Sequence, residues 1–82
     1  MNLSKQLEQI GLFFTSASRL DDSKLQNALM ALAYDYLDQI IDRSVPGETD
    51  IRIEHNGRRQ WLSVIVDDDG QVRIQSYDSY FV

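Results

Sequence analysis

The sequence predicts an α+β fold in which two N-terminal helices pack on one face of a three-stranded antiparallel β-meander (ααβββ). Three observations predict it. Hydrophobic residues recur at helical spacing up to about residue 43 and alternate with polar residues after it. Pro46 and Gly47 separate the two parts, and two turn signals, "HNGR" and "DDDGQ", divide the second part into three runs. A chain of 82 residues with 43% hydrophobic content fits one small domain, residues 1–82.

The first helix is predicted over about residues 3–18. Either Asn2 or Ser4 can cap its N-terminus, because short polar side chains accept hydrogen bonds from the first free backbone N–H groups. Its apolar residues recur at steps of three and four, which places them along one helical face. These residues are Leu3, Leu7, Ile10, Phe14 and Ala17.

The second helix is predicted over about residues 22–43, with its N-cap among Asp21, Asp22 and Ser23. One apolar stripe runs along it, and further apolar residues widen that stripe. A stripe this wide predicts contact with two neighbours, the first helix and the sheet. The stripe consists of Leu25, Leu29, Leu32, Tyr36 and Ile40, widened by Ala28, Ala33, Leu37 and Ile41.

Three strands are predicted over about residues 49–55, 58–67 and 71–77, followed by a tail at 78–82. Asn-Gly is the preferred pair for a two-residue type I′ turn, so we expect a tight hairpin at 56–57. This turn places Ile51 opposite Leu62 and Arg52 opposite Trp61, which keeps the apolar residues on one face.

The second turn is predicted as a three-residue loop over residues 68–70, with Gly70 in the left-handed conformation. That loop pairs Val66 with Val72 and, further along, Leu62 with Ser76 and Trp61 with Tyr77. The aspartates before Gly70 lack the first and last ligands of a calcium-binding loop, so we interpret them as a polar bend.

Both registers place aromatic and arginine residues on the sheet face opposite the aliphatic residues. Aromatic and arginine side chains dominate binding hot spots, so this face is a candidate partner surface. Two other interpretations are that Arg52 only shields Trp61 by a cation–π contact, and that the first helix buries the face. The tail either extends the third strand or adds an anchor to a partner or a second copy. The predicted partner-binding residues are Arg52, Arg59, Trp61, Ile65, Arg73, Tyr77, Tyr80 and Phe81.

Asp35, Asp38 and Asp42 recur at spacings of three and four, which predicts an acidic ridge on one face of the second helix. Solvated acidic surface is the ordinary interpretation of such a pattern. A ridge of this kind can also meet a basic partner or imitate a phosphate backbone. We predict no metal and no other cofactor.

Residues suited to catalysis are scarce. There are no cysteines, and His55 is the only histidine. Acid–base catalysis needs a second group within hydrogen-bond reach, and the sequence indicates none. We therefore expect no enzymatic activity. No apolar run approaches the length of about 20 residues that spans a bilayer, and the N-terminal residues do not form a secretory signal, so we expect a cytoplasmic protein.

These features predict a small acidic protein-binding module, such as an adaptor, an inhibitor or an immunity-type blocker, that acts through the exposed sheet face and the aromatic tail. One alternative is a nucleic-acid-mimicking inhibitor that uses the acidic ridge. Another is a single-strand nucleic-acid platform, although the net charge of −5 opposes it. Homodimerisation through the same face is a further alternative. The order of elements occurs in many small bacterial and phage proteins, and no family motif is present.

Overall fold

Two helices followed by three strands make up residues 2–82, which the computed structural model describes. The elements are α1 (Leu3–Ser18), α2 (Ser23–Leu37), β1 (Gly47–His55), β2 (Arg58–Val66) and β3 (Val72–Phe81). The strands form one antiparallel sheet in the order β1-β2-β3. The predicted α+β class and ααβββ order are confirmed. The chain divides into two compact units, Met1–Ile40 and Ile41–Val82.

Side-chain caps begin both helices of the first unit. Asn2 caps α1 by accepting a 2.8 Å hydrogen bond from the backbone N–H of Lys5. Asp22 caps α2 by accepting from the N–H groups of Lys24 and Leu25, at 2.9 and 3.3 Å. Each cap satisfies backbone donors that have no partner inside the helix, so both helix starts follow from local sequence.

α1 and α2 contact each other along their lengths. The rings of Phe13 and Tyr36 stack with centroids 6.0 Å apart. The Gln26 amide donates to the backbone oxygens of Ala17 and Leu20, which ties α2 to the end of α1. The buried apolar side chains of this unit are Leu7, Ile10, Ala17, Ala33 and Leu37.

The predicted main stripe of α2 is not its buried face. Leu25 and Leu32 are exposed, whereas Ala33 and Leu37, from the widening set, are fully buried. The small side chain of Ala33 allows close approach of a neighbouring element. Sequence spacing identified the apolar residues, but it did not show which part of the wide stripe would be buried.

α2 ends at Leu37, so its predicted extension to residue 43 is wrong. After Leu37 the backbone bonds shorten to the three-residue spacing of a 3₁₀ turn, from Gln39 to Tyr36 and from Ile40 to Leu37. The Asp42 carboxylate then accepts from both the N–H and the hydroxyl of Ser44, at 2.9 and 2.6 Å. Such local side-chain bonds compete with helical hydrogen bonds, and they favour the turn over another helical turn.

The first hairpin of the sheet has the predicted two-residue turn. Asn56 and Gly57 both have positive φ, at 53° and 74°, as a type I′ turn requires. The predicted pairs Ile51–Leu62 and Arg52–Trp61 are confirmed. Turn chemistry alone was therefore sufficient to set the register of β1 against β2.

The second hairpin also has the predicted loop. The Asp67 carboxylate accepts from the N–H groups of Asp69 and Gln71, both at 2.9 Å, and Gly70 has a φ of 80°. The predicted pair Val66–Val72 is confirmed. The run of aspartates thus includes a side chain that holds the bend together.

Farther along β3 the predicted register is wrong. Ser63 pairs with Ser76 while Val64 pairs with Ile74, so Gln75 is an extra residue in a β-bulge. Every later residue of β3 is displaced by one. The predicted pairs Leu62–Ser76 and Trp61–Tyr77 are replaced by Leu62–Tyr77 and Trp61–Asp78.

Because a one-residue shift exchanges the two faces of a strand, Tyr77 lies on the aliphatic face and not beside Trp61. Its hydroxyl donates a 2.7 Å hydrogen bond to Oε1 of Gln60, which is only 1% exposed. β3 continues to Phe81, so the tail extends the third strand, which is one of the two uses predicted for it. The strand end predicted at residue 77 is corrected to residue 81. The same shift moves Tyr80 onto the face of Trp61.

We expect Tyr77→Phe to lower the free energy of unfolding by about 1–2 kcal/mol, because it removes a donor from a buried amide oxygen. Tyr80→Phe is the matched control. The Tyr80 side chain is exposed, so this change should alter stability by less than about 0.5 kcal/mol. Chemical denaturation of the three proteins measures both values, and equal stability of the two variants would contradict the bulged register.

The bonds from Ser44 hold the pKa of the Asp42 carboxyl below its ordinary value. A depressed pKa in the folded state contributes stability above the unfolded pKa, and this contribution is lost as the pH falls through the folded value. We therefore expect Ser44→Ala to raise the pKa of Asp42 towards normal in an NMR titration and to reduce stability at neutral pH. An unchanged Asp42 titration would contradict the assigned cause.

Candidate functional site

The candidate site lies on the sheet face that carries Trp61. We call it the aromatic–arginine face and define it as Arg52, Glu54, Arg59, Trp61 and Tyr80. The β-turn bond at the first hairpin joins His55 and Arg58, and hydrogen-bonded pairs alternate from there with non-hydrogen-bonded pairs. Arg52–Trp61 and Glu54–Arg59 are therefore non-hydrogen-bonded pairs, in which the side chains are closest.

Arg52 stacks on Trp61. The guanidinium carbon lies 4.0 Å from the indole ring centroid, which is a close cation–π contact. The nearest Asp50 carboxylate oxygen is 3.9 Å from Arg52, beyond hydrogen-bond distance. Trp61 remains 37% exposed under this contact. The arginine thus supports the indole while leaving part of it open to solvent.

Arg59 is held by Glu54 and Tyr80. Its Nη2 and Nε donate to Oε2 of Glu54 at 2.9 and 3.3 Å. Its guanidinium carbon lies 5.9 Å from the Tyr80 ring centroid. The bond to Glu54, followed by that to Tyr80, raises the pKa of Arg59 above its usual value. An arginine side chain is always charged, and Glu54 compensates the charge of Arg59 locally.

An open depression of about 360 Å³ lies among these side chains. Two aromatic rings and two guanidinium groups surround it, so an apolar group can contact the rings while an acceptor reaches the guanidinium edges. The lining residues are Arg52, Ile53, Glu54, Arg59, Gln60, Trp61 and Tyr80. Glu54 was not among the predicted site residues, although the two-residue turn predicted at 56–57 also places Glu54 opposite Arg59.

The other predicted binding residues lie elsewhere. Ile65 and Arg73 oppose each other on the same face and line a separate depression of about 360 Å³ with Asp67, Gln71 and Val72. Tyr77 lies on the opposite face. Phe81 is 83% exposed and pairs with Arg58, also on the opposite face. The structure therefore brings together Arg52, Arg59, Trp61 and Tyr80, but not the full predicted set.

The predicted acidic ridge does not form one helical face. Asp35 belongs to α2, Asp38 is the C-cap, and Asp42 lies beyond the helix in the turn with Ser44. The predicted ridge required α2 to continue to residue 43. Because α2 ends at Leu37, the prediction of a ridge on one helical face is wrong. Within residues 2–82 there is no group of three or more histidine or acidic side chains arranged to hold a metal ion.

Neither helix of the described chain has the length and apolar content to cross a membrane. No family model, curated protein or solved structure matches this chain. Function is therefore inferred from the geometry of the aromatic–arginine face.

Trp61 is the only tryptophan, so its fluorescence reports on this face alone. We expect Arg52→Ala to shift the emission to longer wavelength and to increase quenching by acrylamide, because the stacked guanidinium no longer covers the ring. The loss of stability should be only about 0.5–1 kcal/mol at this exposed position. Arg73→Ala, which changes an arginine opposite Ile65, should leave the emission unchanged. Equal effects of both variants would contradict a specific Arg52–Trp61 contact.

Proposed function

We propose that this chain is a non-enzymatic protein-binding module whose contact surface is the aromatic–arginine face. The observation that carries this proposal is the exposed Trp61, supported by Arg52 at 4.0 Å and lying on the same face as the exposed Tyr80. Tryptophan, tyrosine and arginine are the residues most enriched in binding hot spots. Their location on one face supports a protein contact more than a catalytic role.

Preorganisation supports the same function. The arginine side chains are long and flexible, and ordering them on binding costs about 0.5–1.5 kcal/mol each. Arg52 is already stacked, and Arg59 is already bound to Glu54 and in contact with Tyr80. A partner therefore meets side chains whose conformations need little further ordering.

The charge of the face indicates the partner's chemistry. Glu54 compensates Arg59, and Asp50 lies near Arg52, so the face has little net positive charge for a phosphate backbone. We propose that it binds a protein segment bearing an apolar side chain beside a carboxylate or carbonyl acceptor. The apolar group would occupy the depression between Trp61 and Tyr80, and the acceptor would meet the guanidinium edges. A protein of this kind would act as an adaptor or as an inhibitor that blocks a surface of its partner.

We expect Trp61→Ala to weaken partner binding by about 30-fold or more, the effect of losing a hot-spot side chain. The partner is first isolated from the native host with the wild-type chain and then titrated, as a purified protein, against each variant. The matched control is Leu12→Ala, which removes an exposed apolar side chain from α1.

Retained affinity in Trp61→Ala would remove the aromatic–arginine face as the contact surface. An equal loss in Leu12→Ala would show that the effect is not specific to this face. Circular dichroism of both variants checks that the secondary structure is intact.

A further inference from the structure

β1 forms an open edge of the sheet. It pairs with β2 on one side only, and within residues 2–82 no strand pairs with its other side. Seven of its nine residues are exposed. We propose that β1 pairs antiparallel with β1 of a second copy of this chain, centred on Ile51, so that two three-stranded sheets join into one of six strands.

The hydrogen-bond pattern of the first hairpin determines which residues can form that pairing. His55 and Arg58 flank the two-residue turn as a hydrogen-bonded pair, so residues 49, 51, 53 and 55 direct their backbone groups towards β2. Residues 48, 50, 52 and 54 direct theirs away from β2, towards the open edge. An antiparallel partner must therefore pair outward residues with outward residues, which excludes half of all registers.

Among the remaining registers, the one centred on Ile51 pairs β1 over its whole length, from Gly47 to His55. In this register Asp50 faces Arg52 of the second copy, and the twofold symmetry repeats that pair. Opposite charges directly across an antiparallel pair stabilise it, and both pairs lie beside the centre. Length therefore selects this register, and the opposite charges beside its centre support it.

Neighbouring registers place like charges together. Centring the pairing on Asp50 forms two Glu48–Arg52 pairs, but it puts Asp50 opposite its own copy and shortens the ladder to residues 47–53. Centring it on Arg52 puts the two Arg52 residues together and sets Asp50 against Glu54. Centring it on Ile53 restores opposite charges, Arg52 with Glu54, but runs into the turn at Asn56 and shortens the ladder. The Ile51 register also pairs Glu48 with Glu54, but Arg59 already compensates Glu54 at 2.9 Å.

The other edge of the sheet is less suited to a partner strand. β3 contains the bulge at Gln75, which interrupts the regular row of outward backbone groups, and bulges are a common protection of sheet edges. β1 pairs with β2 without any bulge over its nine residues. Charged side chains on an edge strand often prevent pairing with another chain. In β1, however, the order of the charges makes Asp50 and Arg52 complementary to Arg52 and Asp50 of a second copy.

This pairing has a consequence for the sheet surface and does not depend on the proposed function. The twofold axis of such a sheet is perpendicular to it, so both aromatic–arginine faces lie on the same side. The two Trp61 residues then lie three strand spacings apart across the sheet and two residues apart along it, a separation of about 16 Å. Arg52 lies between Trp61 of its own chain and Asp50 of the second copy.

A cysteine pair tests the register directly, because the natural chain has no cysteine. Ile51 meets its own copy as a non-hydrogen-bonded pair with Cα atoms about 4.5 Å apart, within the range for a disulfide. Oxidation of Ile51→Cys should therefore give a covalent dimer. The control is Ile53→Cys, another half-buried isoleucine of β1, whose two copies lie about 14 Å apart in this register and should not cross-link.

A charge exchange tests the same pairing without a cross-link. Sedimentation equilibrium of the wild-type chain should show a mass approaching twice 9.5 kDa as concentration rises. The substitution Asp50→Arg sets two arginine side chains against each other across the interface and should weaken dimerisation about tenfold or more. Adding Arg52→Asp to that variant restores opposite charges and should recover the dimer.

A monomer mass at all concentrations, with no cross-link from Ile51→Cys, would overturn the proposal. Preferential cross-linking of Ile53→Cys would overturn it too, since that requires another register. Failure of the double charge exchange to recover the dimer would do the same. Trp61→Ala leaves β1 unchanged, so the proposed partner contact and this pairing can fail separately.

Discussion

The pairing of β2 with its two neighbours determines where every side chain of the candidate site lies. β2 is the central strand and pairs with β1 on one edge and with β3 on the other. The registers of these two pairings together determine which residues share a face with each side chain of β2. Trp61 lies on one face because its neighbour Leu62 is fully buried on the other. A slip of one residue in either ladder would exchange these faces and separate the arginines from the aromatic rings.

The bulge at Gln75 determines which residues of β3 lie on the aromatic–arginine face. It takes Tyr77 away from Trp61 and brings Tyr80 opposite Arg59. Two hydrogen bonds support this arrangement: Ser63 donates to the Gln75 amide oxygen at 2.9 Å, and Tyr77 donates to Gln60. Ser63 and Gln60 are both buried, so each needs a hydrogen-bond partner within the protein. The bulge places Gln75 and Tyr77 where they supply these two partners.

Charge on the sheet is balanced locally, although the whole chain carries −5. Arg59 is compensated by Glu54, and Arg52 lies over the Trp61 ring with the Asp50 carboxylate 3.9 Å away. A surface of this kind discriminates by shape and by directional hydrogen bonds more than by net charge. The same balance makes the edge of β1 self-complementary, so one arginine can contribute to a face and to an edge.

The sequence by itself determined the features that depend on neighbouring residues. These include all five elements, the short sets of N-cap candidates that contain Asn2 and Asp22, and both hairpin loops, because a cap or a turn needs only a short side chain or a glycine at the right place. It also placed Arg52 opposite Trp61, because a two-residue turn at Asn56 and Gly57 fixes the register of β1 against β2. The end of α2 at Leu37 is also local, but it depends on hydrogen bonds that apolar spacing does not reveal. Only the tertiary structure decided the bulge at Gln75, because the bulge involves partners on different strands. Spacing along the chain therefore could not reveal which residues of β3 would lie opposite Arg59 and Trp61.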